Sequence, residues 1–299
     1  MKKLAPIILF TYNRVNTLKV TIESLKKNQL ASKSNIYIYS DSYRSNIDKK
    51  KVLAVRKYLK EIAGFNKKKI ILRKRNYGLA KNIINGVGEV LKKYSNIIVL
   101  EDDIKVSNFF LDYMNKSLNL YEKRRKIWHI SAWNYDVKAT SIHDAYFTRT
   151  MNCWGWATWS DRWKYFDKNP NKIIKEWSKK DIHRFNLDGS YNFFSQIERN
   201  LSKKINTWAI FWYAIIFQNN GLCLNPKNTL VSNIGIGNKA TNTKKPNEIF
   251  GTTVSDLNFL PKKFPKNLIE NKNFLLTIRK KILIMKVKNK IKYYISKII

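Results

Sequence analysis

The sequence predicts an α/β protein built on a doubly wound, mostly parallel sheet. Two observations predict this fold class: the first hundred residues alternate short apolar runs with segments of helical periodicity, and the loops between them are short. Connections of this kind are right-handed and make neighbouring strands parallel. With 299 residues, 44% hydrophobic and 26% charged, the chain is long enough to bury a large core.

The predicted elements of this region follow in order. Residues 6–12 are apolar, which is typical of a strand buried on both faces. Apolar residues three or four positions apart then indicate a helix, and the same alternation is repeated along the chain. The predicted strands are 6–12, 36–39, 69–72 and 96–100, and the predicted helices are 13–27, 50–62 and 78–92.

The second half differs in composition. Six of the nine tryptophans fall within residues 128–163, and residues 208–217 form an apolar run that predicts a buried helix. Two prolines interrupt regular structure near residue 261, so we expect a domain over 1–260 and a tail over 261–299. Two distant cysteines give no disulfide framework or zinc site.

The formal charge of +37 is extreme, with 58 basic and 21 acidic residues. Such a field attracts nucleic acid, anionic lipid or phosphorylated substrates, although AT-rich codon usage also produces lysine-rich chains. The amino terminus lacks the pattern of a secretory signal, which predicts a cytoplasmic protein.

Three adjacent carboxylates, Glu101, Asp102 and Asp103, directly follow the fourth predicted strand. Their mutual repulsion is offset by a hard cation such as Mn²⁺ or Mg²⁺, which accepts oxygen ligands. A solvated acidic turn is the alternative. Arg14 and Asp41 end the first two strands at the same predicted edge, where ligands of parallel sheets bind, although a capping role fits them equally well.

Short motifs give these residues a context. The motifs lie at residues 10–14, 39–42, 76–80, 99–103, 130–134, 147–150, 153–156, 207–208 and 230–235. In combination they resemble the GT-A glycosyltransferase fold, and more narrowly the bacterial family-2-like sugar transferases. These are similar to the animal N-acetylglucosaminyltransferase that adds the first GlcNAc branch to N-glycans.

The resemblance implies a metal-dependent transferase with a nucleotide-sugar donor, expected to be UDP-linked. Asp103 would bind the metal and Glu101 would face the transferred sugar. The implied contacts to the nucleotide-sugar are Arg14, Asp41, Asn82, Asp102, Trp154 and Trp208. Aromatic faces suit the C–H surfaces of a pyranose, whereas plain core packing is expected for Trp128, Trp159 and Trp163.

Two positions depart from the family pattern. An inverting transferase needs a general base, and where the animal enzyme has an Asp after the residue matching Trp208, this chain has Ala209. Asp161 is the expected substitute, with Asp167 and Asp188 as further candidates. Residues 233–242 resemble a donor-covering loop but lack the acids and the His that relatives carry there. The general base therefore stays open, and an inactive family member is an alternative.

The tail completes the predicted function. Residues 271–299 contain nine Lys or Arg and no acid, and Leu275, Ile278, Ile282 and Met285 begin an apolar stripe at helical spacing. An amphipathic helix on an anionic membrane surface fits this pattern, and a helix packed on the domain is the alternative. We expect an inverting transferase at the inner membrane face that uses glycan or lipid-linked acceptors in surface polysaccharide or lipopolysaccharide biosynthesis. Nucleic-acid binding is disfavoured, because no such module is recognisable.

Overall fold

A computed structural model describes residues 3–135, 137, 142–235 and 257–295 of the chain. The strands in these residues are β1 (Ile7–Thr11), β2 (Asn35–Ser40), β3 (Lys67–Leu72), β4 (Asn96–Glu101), β5 (Ile104–Val106), β6 (Ile127–Ser131), β7 (Ala145–Thr148), β8 (Trp156–Trp159), β9 (Leu222–Pro226) and β10 (Val231–Asn233). The helices are α1 (Val15–Lys26), α2 (Asn46–Glu61), α3 (Leu79–Leu91), α4 (Phe110–Tyr121), α5 (Ser160–Trp163), α6 (Pro170–Glu176), α7 (Lys179–Phe185), α8 (Phe194–Leu201), α9 (Ala209–Gln218) and α10 (Lys272–Ile295). The four strands and three helices predicted for the first hundred residues are confirmed.

The central sheet has eight strands in the order β3-β2-β1-β4-β8-β6-β9-β7. The first four strands of this order are parallel, and so is the pair β6–β9. By contrast, β8 runs antiparallel to both of its neighbours, and β7 runs antiparallel to β9. The predicted α/β class with a mostly parallel sheet is confirmed. After β1, the chain adds β2 and β3 on one side of β1, and β4 then pairs with the other side of β1. The strand order therefore reverses direction between β1 and β4.

Successive residues of β1 are buried in two different cores. Ile7 and Leu9 of β1 pack into one core with α1 and α2, whereas Ile8 and Phe10 pack into a second core with α3. Successive side chains of a strand point to opposite faces, so both faces of this sheet are covered. Full burial of each such side chain contributes roughly 1.5–3 kcal/mol, which explains why these strands are apolar throughout.

The aromatic residues of the second half fill the core beside β8 and α9. All residues of α9 from Ile210 to Phe217 are buried, which confirms the predicted core helix. Trp128, Trp159 and Trp163 are each less than 10% exposed, as expected for core packing. Both cysteines are free, in agreement with the absence of a predicted disulfide framework.

His129 lies inside this aromatic core. The indole N–H of Trp212 donates to its Nδ1 at 3.3 Å, so the proton resides on Nε2, which donates to the carbonyl of Asn152 at 2.9 Å. Burial lowers the pKa of His129 to about 3, because the charged ring would lose its hydration. His129 is therefore a neutral packing residue.

The first half of α10 packs on the domain. Phe274, Ile278 and Ile282 are each 1% exposed, and the ring centroids of Phe274 and Tyr146 lie 3.9 Å apart. The apolar stripe that the sequence predicts to contact a membrane is therefore covered by protein from Leu275 to Met285, because it completes the core. The membrane interpretation of this stripe is wrong for these residues.

Four charged side chains fasten α10 to the domain, and we call them the helix-docking cluster. Arg149 pairs with Glu270 at 2.9 Å and with Asp188 at 3.1 Å, and Arg279 of α10 pairs with Asp188 at 3.2 Å. The two guanidiniums balance the two carboxylates. This balance explains why the groups can lie largely out of water.

In the part of the chain that the structure describes, no helix combines the length and apolar character needed to cross a bilayer. The domain boundary at residues 260 and 261 stays a prediction. The structure shows in addition that the first half of α10 packs on the domain.

Candidate functional site

The acidic residues predicted to bind a metal form a tight turn at the carboxyl end of β4. Glu101 is the last residue of β4, and Asp102 and Asp103 make the turn into β5. Asp102 is 3% exposed and Asp103 is 8% exposed. We call these three residues the acidic turn. It lies at the switch point of the strand order, where open α/β sheets bind their ligands.

Arg14 links the acidic turn to β1. One guanidinium nitrogen, Nη2, lies 2.8 Å from an Asp102 oxygen and 2.9 Å from an Asp103 oxygen. The second Asp102 oxygen accepts the backbone N–H of Tyr12 at 3.0 Å. β1 and β4 are hydrogen-bonded neighbours, and this adjacency brings the residues after the two strands together. The predicted proximity of Arg14 to the acidic turn is thus observed.

The charges of this turn are incompletely balanced. Burial, followed by the charges of Asp103 and Asp102, raises the pKa of Glu101 to about 8. Burial raises the pKa of Asp102 to about 6 although Arg14 opposes the shift, and burial also raises the pKa of Asp103. Among the described residues, Arg14 pairs with two of these three carboxyl groups, so an added cation would stabilise their charged forms.

Asp41 follows β2 and holds the loop that leads into α3. Its carboxylate accepts the backbone N–H groups of Ser42, Tyr77 and Gly78, each at 2.9 Å. Gly78 has a φ of 71°, a left-handed conformation that glycine adopts without strain. Asp41 therefore lies at the predicted edge, and its partners precede the first residue of α3, so it fixes the entry loop and does not cap the helix itself. Its contact with a nucleotide stays a prediction.

Asn82 is buried on α3 beside an arginine. Its side-chain oxygen accepts the Nε–H of Arg73 at 3.0 Å, and Arg73 also pairs with Glu89 at 3.0 Å. The guanidinium lies 4.9 Å from the ring centroid of Tyr39 and 4.8 Å from that of Tyr77. Asn82 thus helps to position a packed arginine. The structure leaves its predicted nucleotide contact untested.

Trp154 lies in the segment that enters β8 next to the acidic turn. Trp156 pairs with Val99 of β4, so the preceding residues approach the carboxyl end of that strand. Burial and then the charges of Glu101 and Asp103 raise the pKa of the Cys153 thiol to about 12, which reflects this proximity. Trp154 is half-buried and packs edge-on against Trp133 at 5.3 Å. Part of its surface is left for a ligand.

Trp208 has a different position from the one predicted. It is 3% exposed, its ring stacks on Trp156 at a centroid distance of 5.1 Å, and Trp163 lies at 6.4 Å. The predicted stacking of Trp208 on a sugar is wrong for this structure, because aromatic neighbours and the rest of the core enclose the ring.

Asp161 is at the opposite edge of the sheet from the acidic turn. Because β8 runs antiparallel to β4, Trp159 pairs with Asn96 at the amino end of β4. Five residues of strand separate Asn96 from Glu101, a distance of about 17 Å. Asp161 pairs there with Arg162 at 2.6 Å and with Arg125. The expectation that Asp161 acts as the general base is therefore wrong.

A glycine that sequence reasoning did not assign to the site lies against the acidic turn. β10 pairs antiparallel with β5, and Ile234 N–H donates to the carbonyl of Asp103 at 2.9 Å. A Cβ on Gly235 would lie 2.1 Å from a carboxylate oxygen of Asp103 and 2.7 Å from Nη1 of Arg14. Only glycine permits this approach. The predicted donor-covering loop begins here, and its residues 236–242 lie outside the described residues.

Asp48 is a second residue that sequence reasoning missed. It accepts the hydroxyl of Tyr12 at 2.8 Å and the amide of Asn13 at 3.1 Å, and so fixes the loop that carries Arg14. The sequence feature that could have pointed to Asp48 is the motif at residues 10–14, because this motif contains both of its partners. The contact joins residues about 35 positions apart, which no local pattern reveals.

Metal binding by protein ligands alone is not supported by this geometry. Among the described residues, no three histidine, cysteine or carboxylate side chains converge in a way that could hold an ion. The oxygens of Asp102 and Asp103 suit a hard cation, which commonly takes only one or two carboxylates and completes its shell with phosphate and water. The acidic turn fits a metal bound together with a phosphorylated ligand.

Fold and site together define an α/β protein with an acidic ligand site at the switch point of its sheet. The family model described as the GNT-I family matches residues 1–186, more than half of the chain. The chain therefore belongs to the GNT-I family. This match confirms the resemblance that the sequence motifs indicate.

Individual relatives are more distant. The alpha-1,3-mannosyl-glycoprotein 2-beta-N-acetylglucosaminyltransferase of Arabidopsis thaliana is 27% identical over 97 residues, which are 31% of this chain and 22% of that protein. The chain thus matches about a fifth of the length of this relative.

Two solved structures show weak likeness. S. aureus TarS 1-349 is 9% identical over 76% of this chain and 59% of that chain, with a TM-score of 0.42. The mannosyltransferase PcManGT from Pyrobaculum calidifontis, in complex with GDP-Man and Mn2+, is 9% identical over 73% of this chain and 70% of that chain, with a TM-score of 0.40. Likenesses of this size say nothing about the site.

Proposed function

We propose that the chain transfers a sugar from a nucleoside-diphosphate-sugar to a hydroxyl acceptor, and that the acidic turn binds the donor diphosphate through Mn²⁺ or Mg²⁺. One observation carries the proposal. In the part of the chain that the structure describes, one guanidinium, that of Arg14, pairs with both Asp102 and Asp103 at the switch point of the sheet, and Glu101 adds a third acidic group beside them. A cluster with this deficit of positive charge is suited to an anionic ligand that arrives with a cation.

Asp103 and Asp102 would hold the cation, with the remaining positions left to diphosphate oxygens and water. When bound, the cation supplies Lewis-acid stabilisation of the departing diphosphate. Arg14 is released from the two carboxylates as their charge becomes balanced. Its guanidinium can then pair with a phosphate of the donor, because arginine matches phosphate geometry as well as it matches carboxylate.

The transferred sugar would lie between Glu101 and Trp154. Glu101 offers a hydrogen-bonding carboxyl group at the end of β4, and the accessible part of Trp154 offers an apolar surface for sugar C–H groups. Asp41 holds the loop that leads into α3 at the same edge, so the nucleotide would meet a fixed surface there. The general base is not assigned, since Asp161 lies at the far edge.

Family membership guides the finer choices. The Arabidopsis relative is an N-acetylglucosaminyltransferase by its name, so we propose an N-acetylhexosamine linked to UDP as the first donor to test. The proposed acceptor is a glycan or lipid-linked sugar of surface polysaccharide or lipopolysaccharide assembly, and the proposed stereochemistry is inverting.

Thermal unfolding with a panel of nucleotide-sugars, each with Mn²⁺, Mg²⁺ or EDTA, tests the site. A ligand at a hundredfold excess over its Kd stabilises the folded state by about 2.7 kcal/mol, which raises Tm by several degrees. We expect this shift only with metal, and we expect Asp103→Asn to remove it. Asp161→Asn is the matched control, because it makes the same change at the opposite edge and should keep the shift.

An equal shift in Asp103→Asn, or a shift that persists in EDTA, would contradict the proposed site. The alternative of an inactive family member rests on Ala209. Metal-dependent binding without release of nucleoside diphosphate on any sugar acceptor would favour that alternative.

A further inference from the structure

Helix α10 has a second apolar face, opposite the one that packs on the domain. The buried residues of α10 occupy an arc of about 100° around the helix axis, at 3.6 residues per turn. A second set occupies an arc of similar width on the opposite side. It consists of Leu276, Leu283, Ile284, Val287 and Ile291, each about half exposed. We call this set the outer stripe.

The outer stripe is unusual for a soluble surface. Single exposed apolar residues are common, but five on one side of a helix, interrupted once by Lys280, mark a surface that binds something. Leu276, Leu283 and Val287 recur at spacings of seven and four, which places them in one line. Because the opposite face of α10 packs on the domain, these three residues face away from the domain.

Basic residues border the outer stripe on both sides. Lys272 lies along one border and Lys281 and Lys288 along the other, and Lys280 lies within the stripe. Lys286 lies nearer the docked face, where it lines a cavity together with Glu198 of the domain. Residues 271–299 contain no acidic side chain. Long lysine side chains can lay their methylene groups along an apolar surface while the charge stays in a polar layer.

We propose that the outer stripe of α10 binds the surface of an anionic phospholipid membrane, with its apolar residues in the boundary between headgroups and acyl chains. An apolar row flanked by cations complements such a surface in both respects. Nucleic acid would complement the charge but leave the leucines and isoleucines exposed. A second copy of this chain, which also carries a net charge of +37, would be repelled.

This inference goes beyond the proposed function, because it depends on the geometry of α10 and not on the acidic turn. It differs from the sequence expectation in the residues used. The stripe from Leu275 to Met285 serves the fold, and the outer stripe serves the membrane.

Co-sedimentation of the full chain with lipid vesicles tests the proposal. One set of vesicles contains phosphatidylcholine alone, and in the other about a third of the lipid is phosphatidylglycerol. We expect binding to the anionic vesicles only, weakened by salt. The double substitution Leu283→Glu with Val287→Glu should reduce binding about tenfold or more, because it replaces buried apolar area by negative charge.

The matched control is Leu53→Glu with Leu120→Glu. These leucines are each 50% exposed on other helices, and Leu53 lies on the lysine-rich α2. The control receives the same two charges and should bind as the unchanged protein does. Equal loss in both double variants would overturn the proposal, because net charge alone would then explain binding.

Two further measurements separate the outcomes. Unchanged Tm in the Leu283→Glu, Val287→Glu protein shows that the fold is intact, and an unchanged donor-induced shift shows that the acidic turn is unaffected. Retention of vesicle binding by this variant overturns the membrane proposal. A second result would also overturn it. In that result the unchanged protein does not bind vesicles but self-associates, and light scattering shows that the Leu283→Glu, Val287→Glu substitution removes the self-association.

Discussion

Two groups of charged side chains in this molecule differ in their balance of charge. The helix-docking cluster sets Arg149 and Arg279 against Glu270 and Asp188. In the described ranges, the acidic turn sets one arginine, Arg14, against Glu101, Asp102 and Asp103. Balanced pairs hold a structure together, whereas an excess of buried like charge is tolerated where a ligand supplies the counter-charge. The comparison distinguishes a structural cluster from the proposed binding site within one chain.

Breaking the balanced cluster should have the largest effect on stability. In Arg149→Met, Glu270 and Asp188 lose their shared partner while α10 stays docked around them. We expect the free energy of unfolding to fall by about 3 kcal/mol, since an uncompensated charge would be left mostly out of water. Urea unfolding measures this loss. A loss below about 0.5 kcal/mol, as for an ordinary surface change, would show that this cluster does not fasten the helix.

Crowding the acidic turn should have an intermediate effect. In Gly235→Ala the new methyl group would lie 2.1 Å from an Asp103 oxygen, so Asp103 and Arg14 must move. We expect a loss of about 1–3 kcal/mol in stability and about tenfold weaker donor binding, because the carboxylate leaves its place.

Gly88→Ala is the control for this change. Gly88 lies in α3 with open space at its Cβ position, so the helix should gain up to about 1 kcal/mol from the substitution. Unfolding curves and donor titrations of both variants make the test. Unimpaired donor binding in Gly235→Ala would mean that this segment moves away from Asp103 when the ligand binds.

Removing one acid from the unbalanced cluster should have the smallest effect and the opposite sign. The pKa of Asp103 is raised in the folded protein, so its charged form costs stability near neutral pH. In EDTA, Asp103→Asn should therefore leave the free energy of unfolding unchanged or raise it.

Asp188→Asn makes the same substitution in the balanced cluster and should lower stability, because two arginines lose a partner. Destabilisation of both variants by similar amounts, measured in urea, would remove the distinction between the two clusters.

The sequence predicted the parallel half of the fold well. Long apolar runs such as 96–100 and helical spacing such as 78–92 are local signals, and the order of strands and helices follows from them. The acidic turn was predicted for the same reason, since it directly follows a strand whose burial is evident from its composition. Arg14 and Asp41 were placed at the same edge because parallel strands end together.

The errors in the second half share one physical cause. Asp161 follows β8, and sequence gives no local sign that β8 runs antiparallel and carries Asp161 away from the acidic turn. Trp208 begins an apolar helix, which indicates burial but not the neighbours of its ring. Likewise, the spacing in α10 reveals an apolar stripe without revealing what covers it. Gly235 belongs to the motif at residues 230–235, but its contact with Asp103 joins residues more than a hundred positions apart.

The ion pairs of Arg14 with the acidic turn bear on how the protein folds in the cell. A metal-centred domain that lacks its ion often fails to fold, whereas this acidic turn already holds an organic cation of its own. Newly made chains would accordingly reach their final shape whatever the manganese supply. Under the proposed function, scarcity of the ion would then slow turnover without depleting the protein.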